Sequence, residues 1–401
     1  MKKFLFLLLL FPMAALSQTP RKLAFDGYNL RVKSVAKDGK GNFLFATTVL
    51  LQKVAGKDSI SDKEKYDTAI LLLTDENLNV KMHWKNNHFF ASKVLYDPAQ
   101  DVFWIGGSQK EYRPERPDLF GAWQMALYRV DANNKTHPLF PIETDYSCHL
   151  SDVWLDGKKF VVSAIKDNGQ RFEKRLETAV VFEFSATQMH QTKFQPTFKT
   201  PVLISETAAT TSACHTELTS ATLDNGILYF GATTFPFGQG TTEAMRLYQF
   251  KNGKLTSENF EPYFKNKYWF NLTNFALTKD RNYWFAYNTA PDEKFFMLEK
   301  TDVYLQTVSK IEVPDWQYPD FYNELVQMPD GKIVAAGANK DKNWSYFVYD
   351  KDGKLLQEID TKMPIEWLIS ATTAISPTEF IGTFSQLKKP MPTQILWLKT
   401  D

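Results

Sequence analysis

DGKIVAAGANKDKNWSYFVYD, residues 330–350, contains the pair of short strand-like segments on which the fold depends. An Asp-Gly step opens the stretch, and such steps accept positive φ and close tight hairpins. KIVAAGA (332–338) and SYFVYD (345–350) are rich in β-branched, aromatic and small residues, which is typical of buried strands. The stretch therefore predicts a turn followed by two antiparallel strands.

The same pair of segments recurs along the chain, with 49 to 66 residues between successive starts. The later members of the pairs are AILLLT (69–74), MALYRV (125–130), AVVFEF (179–184), MRLYQF (245–250), FFMLEK (295–300), SYFVYD and QILWLK (394–399). The earlier members are NFLFAT (42–47), VFWIGG (102–107), KFVVSA (159–164), ILYFGA (227–232), YWFAY (283–287), KIVAAGA and EFIGTF (379–384). A unit of this length cannot bury its own apolar face, so neighbouring units must cover it.

These units predict an all-β fold, a seven-bladed β-propeller with four antiparallel strands in each blade. A weaker fourth strand follows turns such as Asn252-Gly253 and Asp352-Gly353. The seventh unit ends at its third strand, whereas segment 21–27 (RKLAFDG) precedes the first unit. We expect that segment to supply the missing outer strand and close the ring, because closure removes an open sheet edge.

The stretch from Asp330 to Val334 resembles the loose repeat of many secreted bacterial propellers. The Gly-His and Trp-Asp marks of one large propeller family are missing from the sequence, and the kelch double glycine occurs once, at Gly106-Gly107. The resemblance is to the propeller superfamily as a whole. It implies a fold and no particular activity.

Residues 1–17 have the pattern of a secretory signal peptide. Lys2 and Lys3 precede the apolar run FLFLLLLF, and Ala15-Leu16-Ser17 forms a small-x-small cleavage site. The signal resembles those of exported Bacteroidetes proteins. We expect export to the periplasm or the outside, and a single propeller domain over 18–401.

The charge of the chain argues against polyanionic partners. The sequence has 47 Lys and Arg against 46 Asp and Glu, and loss of the two lysines in the signal peptide leaves a net charge of about −1. Nucleic-acid binding and polybasic membrane contact both need an excess of positive charge. No later stretch is long and apolar enough to cross a bilayer. We expect neither a nucleic-acid partner nor a membrane span.

Long loops are predicted between the second and third strands of units one to four, over 48–68, 108–124, 165–178 and 233–244. In a propeller these loops gather on one face, because each second strand returns to the end from which the first strand set out. Long loops on a rigid frame are common places for binding. We therefore expect ligands on this face.

The two cysteines occupy matching places at the starts of the third and fourth units, as Cys148-His149 and Cys214-His215. Neighbouring inner strands are roughly 6–8 Å apart, which is near the Cα separation of a disulfide, and export leads to an oxidising compartment. We predict a Cys148–Cys214 disulfide, with free thiols and a zinc site of two Cys and two His as alternatives. Adjacent strand residues point to opposite faces, so we expect no metal and no other cofactor.

Aromatic, histidine and acidic residues near the starts of the units are candidates for binding. Aromatic rings stack on sugars or anchor a partner's side chains, although most of them pack between blades. A pair of carboxylates across the channel could act as acid and base in glycoside chemistry, and Asp152, Glu217, Glu324 and Glu366 are the residues considered. The candidate rim residues are Tyr146, His149, His215, Glu217, Trp269, Trp316, Tyr322, Glu324 and Trp367.

The sequence contains neither a Gly-x-Ser-x-Gly elbow nor a His-Glu-x-x-His motif, so no catalytic residue is assigned. The primary hypothesis is an exported non-catalytic module that binds a protein or cell-envelope component, such as a soluble subunit of an envelope or secretion assembly. The alternative is a carbohydrate-binding or carbohydrate-active propeller that uses the channel mouth. A third hypothesis is a sensor or enzyme with a metal or thiol at the paired Cys-His positions.

Overall fold

The computed structural model describes part of the chain. The described residues are 20–23, 25, 28–52, 69–86, 89–111, 122–131, 140–142, 147–157, 159–167, 177–185, 202–203, 214–218, 222–224, 226–236, 244–251, 254–259, 272–277, 283–288, 296–302, 306–313, 325–386 and 391–400. The signal segment 1–17 lies outside them. Within the described residues, no helix has the length and apolarity needed to span a bilayer.

The described strands form seven antiparallel sheets, numbered here by their order along the chain. The first contains β2 (Tyr28–Lys37), β3 (Phe43–Gln52), β4 (Ala69–Thr74) and β5 (Val80–Asn86). The second contains β6 (Phe89–Asp97), β7 (Val102–Glu111), β8 (Ala122–Val130) and β9 (Phe140–Ile142). The third contains β10 (Ser147–Asp156), β11 (Lys159–Asp167), β12 (Glu177–Ser185) and β13 (Val202–Leu203).

The fourth sheet contains β14 (Cys214–Leu218), β15 (Thr222–Asp224), β16 (Ile227–Pro236), β17 (Ala244–Lys251) and β18 (Lys254–Asn259). The fifth contains β19 (Leu272–Leu277), β20 (Tyr283–Asn288), β21 (Phe296–Thr301) and β22 (Thr307–Val313). The sixth contains β23 (Leu325–Gln327), β24 (Ile333–Ala338), β25 (Asn343–Tyr349) and β26 (Leu355–Pro364). The seventh contains β27 (Leu368–Ser376), β28 (Glu379–Ser385), β29 (Thr393–Lys399) and, as its outer strand, β1 (Arg21–Leu23).

Every one of the repeated segments overlaps a strand, so the prediction of an all-β chain with antiparallel sheets is confirmed. The outer strand of the seventh sheet comes from the start of the described chain. Arg21 lies opposite Ile395, and Leu23 lies opposite Thr393. The Leu23 side chain is buried, at 1% exposure.

The first strand of each sheet is here called the inner strand, and in six of the described sheets it contacts the inner strand of a neighbouring sheet. The contacting pairs are β2 with β6, β6 with β10, β19 with β23, β23 with β27, and β27 with β2. The last pair joins the seventh sheet to the first. In the fourth sheet, β14 contacts β11 and β12 of the third sheet. Consecutive sheets therefore lie face to face around their inner strands.

The apolar core is divided into clusters that lie between consecutive sheets. Trp104 of the second sheet packs edge-on against Phe160 of the third, with ring centroids 5.1 Å apart. Tyr346 of the sixth sheet packs in the same way against Phe380 of the seventh, at 5.0 Å. Large rings fill the space between twisted sheets, which explains the high aromatic content of the sequence, 15%.

Candidate functional site

The start of each inner strand and the end of the second strand meet at one edge of the sheet. In the third sheet Ser147 pairs with Asp167, which pairs in turn with Glu177 at the start of the third strand. The predicted loops leave from this edge, which we call the loop edge. The strands extend further into it than predicted, since β3 runs to Gln52 and β7 to Glu111. The apolar side chain of Val49 explains the extension in the first sheet, because it is buried opposite Leu30.

A register shift recurs at the same step of the inner strand in five of the described sheets. At this step one inner-strand residue has no partner on the second strand, which is the geometry of a β-bulge. Bulges redirect side chains and are over-represented beside active sites. The skipped residues, which we call the bulge row, are Lys33, Ser92, Ser151, Thr273 and Ser370.

Two serines of the bulge row, Ser92 and Ser370, form hydrogen bonds that hold the inner strands. Ser92 Oγ donates to the carbonyl oxygen of Leu150, on the inner strand of the next sheet, at 2.8 Å. Ser370 Oγ is 2.6 Å from Ser385 Oγ, which donates to the carbonyl oxygen of Leu30 at 2.7 Å. These hydroxyl groups are satisfied by the protein and connect one sheet to the next.

Lys33 is the charged member of the bulge row. Its Nζ lies 5.1 Å from the centroid of the Phe90 ring, on the inner strand of the second sheet. Burial, and then repulsion from Arg31 on the same strand, lowers the pKa of Lys33 to about 8. Among the described residues, no carboxylate forms an ion pair with Lys33. The Lys33 ammonium is therefore stabilised by the face of the Phe90 ring and repelled by the Arg31 guanidinium.

The second and third inner strands contribute an ion pair beside the bulge row. Lys93 Nζ lies 3.4 Å from Asp152 Oδ1, and the side chain of Asp152 is 23% exposed. Asp152 Oδ1 also accepts a hydrogen bond from the backbone amide of Val153 at 2.8 Å. Burial raises the pKa of the Asp152 carboxyl, and the nearby Lys93 ammonium only partly offsets this effect. A carboxyl of this kind retains its proton to higher pH than an exposed aspartate.

An aromatic pair lies at the start of the third sheet. The rings of Trp123 and His149 are 4.5 Å apart and tilted by 43°. Sequence analysis placed His149 at the rim but did not select Trp123, which belongs to the third strand of the preceding sheet. Only the packing of the two sheets brings these rings together.

Cys148 is buried in the apolar cluster between the second and third sheets, near Met125 and Leu127. Its predicted partner Cys214 opens β14 of the fourth sheet, and the side chain of Cys214 lies outside the described part. The disulfide therefore stays a prediction. A Cys148–Cys214 bond would have to connect this cluster, between the second and third sheets, with β14 of the fourth sheet.

The remaining predicted rim residues are only partly covered by the structure. Trp367 is half-buried against the cluster between the sixth and seventh sheets, and its carbonyl oxygen accepts a hydrogen bond from Trp344 Nε1 at 2.6 Å. Glu366 is exposed in the preceding turn. His215 and Glu217 lie on β14, with side chains outside the description. Outside the described residues altogether are Tyr146, Trp269, Trp316, Tyr322 and Glu324.

A cavity lies at the edge of the sheets opposite the loop edge. It has a volume of about 520 Å³ and is lined by Lys37, Asp38, Gly39, Gly41, Tyr96 and Ile375. The Tyr96 hydroxyl donates to Asp101 Oδ1 at 2.9 Å, and Lys40 forms an ion pair with the same carboxylate. Burial raises the pKa of Tyr96, while the hydrogen bond from Lys40 lowers that of Asp101. These charged groups are paired within the turns, unlike Lys33.

The loop edge of the first three sheets, together with the bulge row midway along their inner strands, is therefore the better candidate site. It offers a partly buried cation, a carboxyl with a raised pKa beside a second cation, and a pair of rings. Among the described residues, no group of three or more His, Cys, Asp or Glu side chains could hold a metal ion. The arrangement fits a ligand with polar or charged groups and an apolar face that can stack on rings.

No protein-family model and no curated protein matches this sequence. Among solved structures, the fold is similar to that of a polysaccharide lyase of family PL25, an ulvan lyase bound to -[GlcA(1-4)Rha3S]-. The TM-score is 0.53 at 9% identity, over 95% of this chain and 96% of that chain. It is also similar to the Hadza microbial sialidase Hz136, with a TM-score of 0.51 at 9% identity, over 92% of this chain and 66% of that chain.

A further likeness is to prolyl oligopeptidase B from Galerina marginata, with a TM-score of 0.50 at 11% identity, over 90% of this chain and 47% of that chain. This chain thus spans just under two thirds of the sialidase and about half of the peptidase. At these identities the likeness shows the fold, which is a β-propeller with antiparallel sheets.

The primary functional hypothesis, a non-catalytic interaction or scaffold module, is wrong. Two of the three similar structures named above are a polysaccharide lyase and a sialidase, and they favour the alternative hypothesis over the primary one. The absence of a contiguous catalytic motif led to the wrong hypothesis for a physical reason. A propeller site is assembled from single residues on successive inner strands, so the absence of a contiguous catalytic motif says little about activity.

Proposed function

We propose that this protein is an exported carbohydrate-binding or carbohydrate-active propeller whose ligand occupies the channel mouth at the loop edge. The observation that carries the proposal is the set of groups on three successive inner strands: Lys33, the Lys93–Asp152 pair, and His149 with its ring partner Trp123. Sugars are recognised by this combination of charged groups and aromatic faces. The sialidase and the ulvan lyase with the same fold support the proposal.

The proposal includes a ring of seven blades, one for each described sheet. Two observations support closure of the ring: β1 pairs with β29, and β2 contacts the inner strand β27 of the seventh sheet. In a closed ring the inner strands surround one channel, and the bulge row lies at one level of it. The groups named above would then face a common opening.

Asp152 is the residue we propose as the acid if the protein cleaves its ligand. Burial raises its pKa, and a carboxyl with a raised pKa can donate a proton to a leaving glycosidic oxygen. Lys93, at 3.4 Å, would hold the carboxyl in place and stabilise its charged form after transfer.

The experiment is a glycan array combined with product analysis on a panel of polysaccharides. The variants are Asp152→Asn and, as a control, Asp156→Asn at the exposed opposite end of the same strand. We expect Asp152→Asn to lower turnover by roughly 100-fold or more, and Asp156→Asn to leave it unchanged. If the protein binds glycans but does not cleave them, the proposal holds in its carbohydrate-binding form and Asp152 has no catalytic role. Absence of any glycan bound or cleaved would contradict the proposal.

Export, a single domain over 18–401 and the Cys148–Cys214 disulfide complete the proposal. The signal-like residues 1–17 support export. Intact mass of the secreted protein tests export and the disulfide, because cleavage after Ser17 fixes the mature mass and a disulfide lowers it by about two mass units relative to the reduced form. A single cooperative unfolding transition would support one domain. Bound zinc with two reactive thiols would contradict the disulfide.

A further inference from the structure

We propose that the ligand carries an acidic group, a carboxylate or a sulfate, and that Lys33 is the residue that binds it. The inference rests on the proposed function and assigns the chemical class of its ligand. The first observation is positional. Five of the described sheets have a bulge-row residue. In four of them it is a serine or threonine, and only in the first sheet is it a lysine, Lys33.

The second observation concerns what surrounds the Lys33 ammonium. Its described neighbours are the face of Phe90, at 5.1 Å, and the Arg31 guanidinium on the same strand, which repels it. A ring face offsets only part of the cost of removing an ammonium from water. Ser92 and Ser370, at equivalent places, are hydrogen-bonded to other groups of the protein, whereas Lys33 has no ion pair among the described residues.

An acidic ligand group would provide the counter-charge for Lys33 that none of the described residues supplies. A carboxylate or sulfate beside Lys33 would pair with the ammonium in a partly buried place, where such pairs are stronger than on the surface. The Phe90 ring, half-buried beside the ammonium, could at the same time contact the apolar face of a sugar. Near the bulge row, the other described charges on these inner strands are Arg31, Lys93 and Asp152, which together with Lys33 leave a positive balance there. Lys37, Asp97 and Asp156 lie at the far ends of the same strands.

The test compares acidic saccharides with neutral forms of the same backbone. The probes are oligogalacturonates and their methyl esters, and sulfated glycosaminoglycan fragments and their desulfated forms, measured by titration calorimetry at constant salt. The variants are Lys33→Met, Lys33→Arg and, as a matched control, Lys354→Met in an exposed turn at the other edge. We expect Lys33→Met to weaken binding of the acidic member of the preferred pair by about ten-fold or more.

We expect Lys33→Arg to retain most of the affinity for the acidic saccharide, and Lys354→Met to leave that affinity unchanged. Binding of the neutral member should be the same in all variants. A loss of affinity that appears equally for the neutral member would overturn the inference. So would a wild-type protein that binds both members equally, although carbohydrate binding itself would stand in that case. Binding of no saccharide would remove the proposed function and the inference together. Thermal unfolding of each variant separates loss of binding from loss of fold.

Discussion

The Ser108 hydroxyl accepts a hydrogen bond from the backbone amide of Leu150 at 2.8 Å and so joins the second sheet to the inner strand of the third. Ser108 and Leu150 are both buried. At the matching place in the seventh sheet, Ser385 donates to the carbonyl oxygen of Leu30 in the first sheet. Single hydroxyl groups thus fix how consecutive sheets meet beside the candidate site.

Ser108→Ala is expected to destabilise the fold, because it leaves the buried amide of Leu150 without this acceptor. A lost partner of this kind costs about 1–3 kcal/mol. Urea unfolding measures the change, with Thr378→Ala as control, since Thr378 is exposed in a turn. Equal stability of the two variants would show that the hydroxyl does not couple the sheets.

Gly107→Ala is expected to cost stability at the bulge of the second sheet. A Cβ at this position would lie 2.3 Å from the Phe90 carbonyl oxygen and 2.4 Å from Phe89 Cζ, so backbone and ring would both have to move. Overpacking of this kind costs about 1–3 kcal/mol. At Gly39 an added Cβ would be 3.6 Å from the Tyr96 hydroxyl, an ordinary contact, so Gly39→Ala is the control.

The same glycine variant also tests the neighbourhood of Lys33, because Phe90 is the ring below its ammonium. We expect Gly107→Ala to alter saccharide affinity as well as the free energy of unfolding. A stable Gly107→Ala protein with unchanged affinity would place the ligand away from Phe90.

Leu23→Ala is expected to destabilise the protein and tests ring closure. Leu23 on β1 is 1% exposed and packs in a cluster with Ala371, Ile381 and Ile395 of the seventh sheet. Truncation of a buried leucine costs about 2–5 kcal/mol. The control is Leu355→Ala, whose leucine is 48% exposed and should change the free energy of unfolding by less than about 0.5 kcal/mol. Similar small effects for both variants would argue against docking of β1.

Lys33→Met is expected to be more stable than the wild-type protein at pH 7. Burial holds the pKa of Lys33 at about 8 in the folded protein, below the value of 10.5 expected for the unfolded chain. Between these two values the unfolded state binds more protons, so the stability of the wild-type protein rises with pH relative to the variant. The difference in the free energy of unfolding should therefore shrink from pH 8 to about pH 10.5. A difference independent of pH over this range would show that Lys33 has an ordinary pKa.

The strands could be predicted from the sequence, whereas the contacts of the candidate site residues could not. AILLLT and SYFVYD were assigned as strands because apolar, β-branched segments between turn signals have few other stable conformations. Asp152 was among the candidate carboxylates because it lies near the start of an inner strand. Its pairing with Lys93, however, depends on how two sheets meet, and no local pattern encodes that contact.

Lys33 was not selected from the sequence. Within YNLRVKSVAK, the segment of β2, it looks like one of several lysines on the solvated face of a strand. The loop boundaries were misplaced for a related reason, since the burial of Val49 depends on its cross-strand partner Leu30.

The sequence by itself determined the strands, their antiparallel order and the edge from which the long connections leave, because period-two patterns and turn chemistry act over a few residues. Tertiary structure alone decided which side chains become partners at the candidate site. Register shifts and sheet-to-sheet packing set those contacts, and they join residues about 60 positions apart, such as Lys93 and Asp152, whose separation in the chain carries no information about their distance in space.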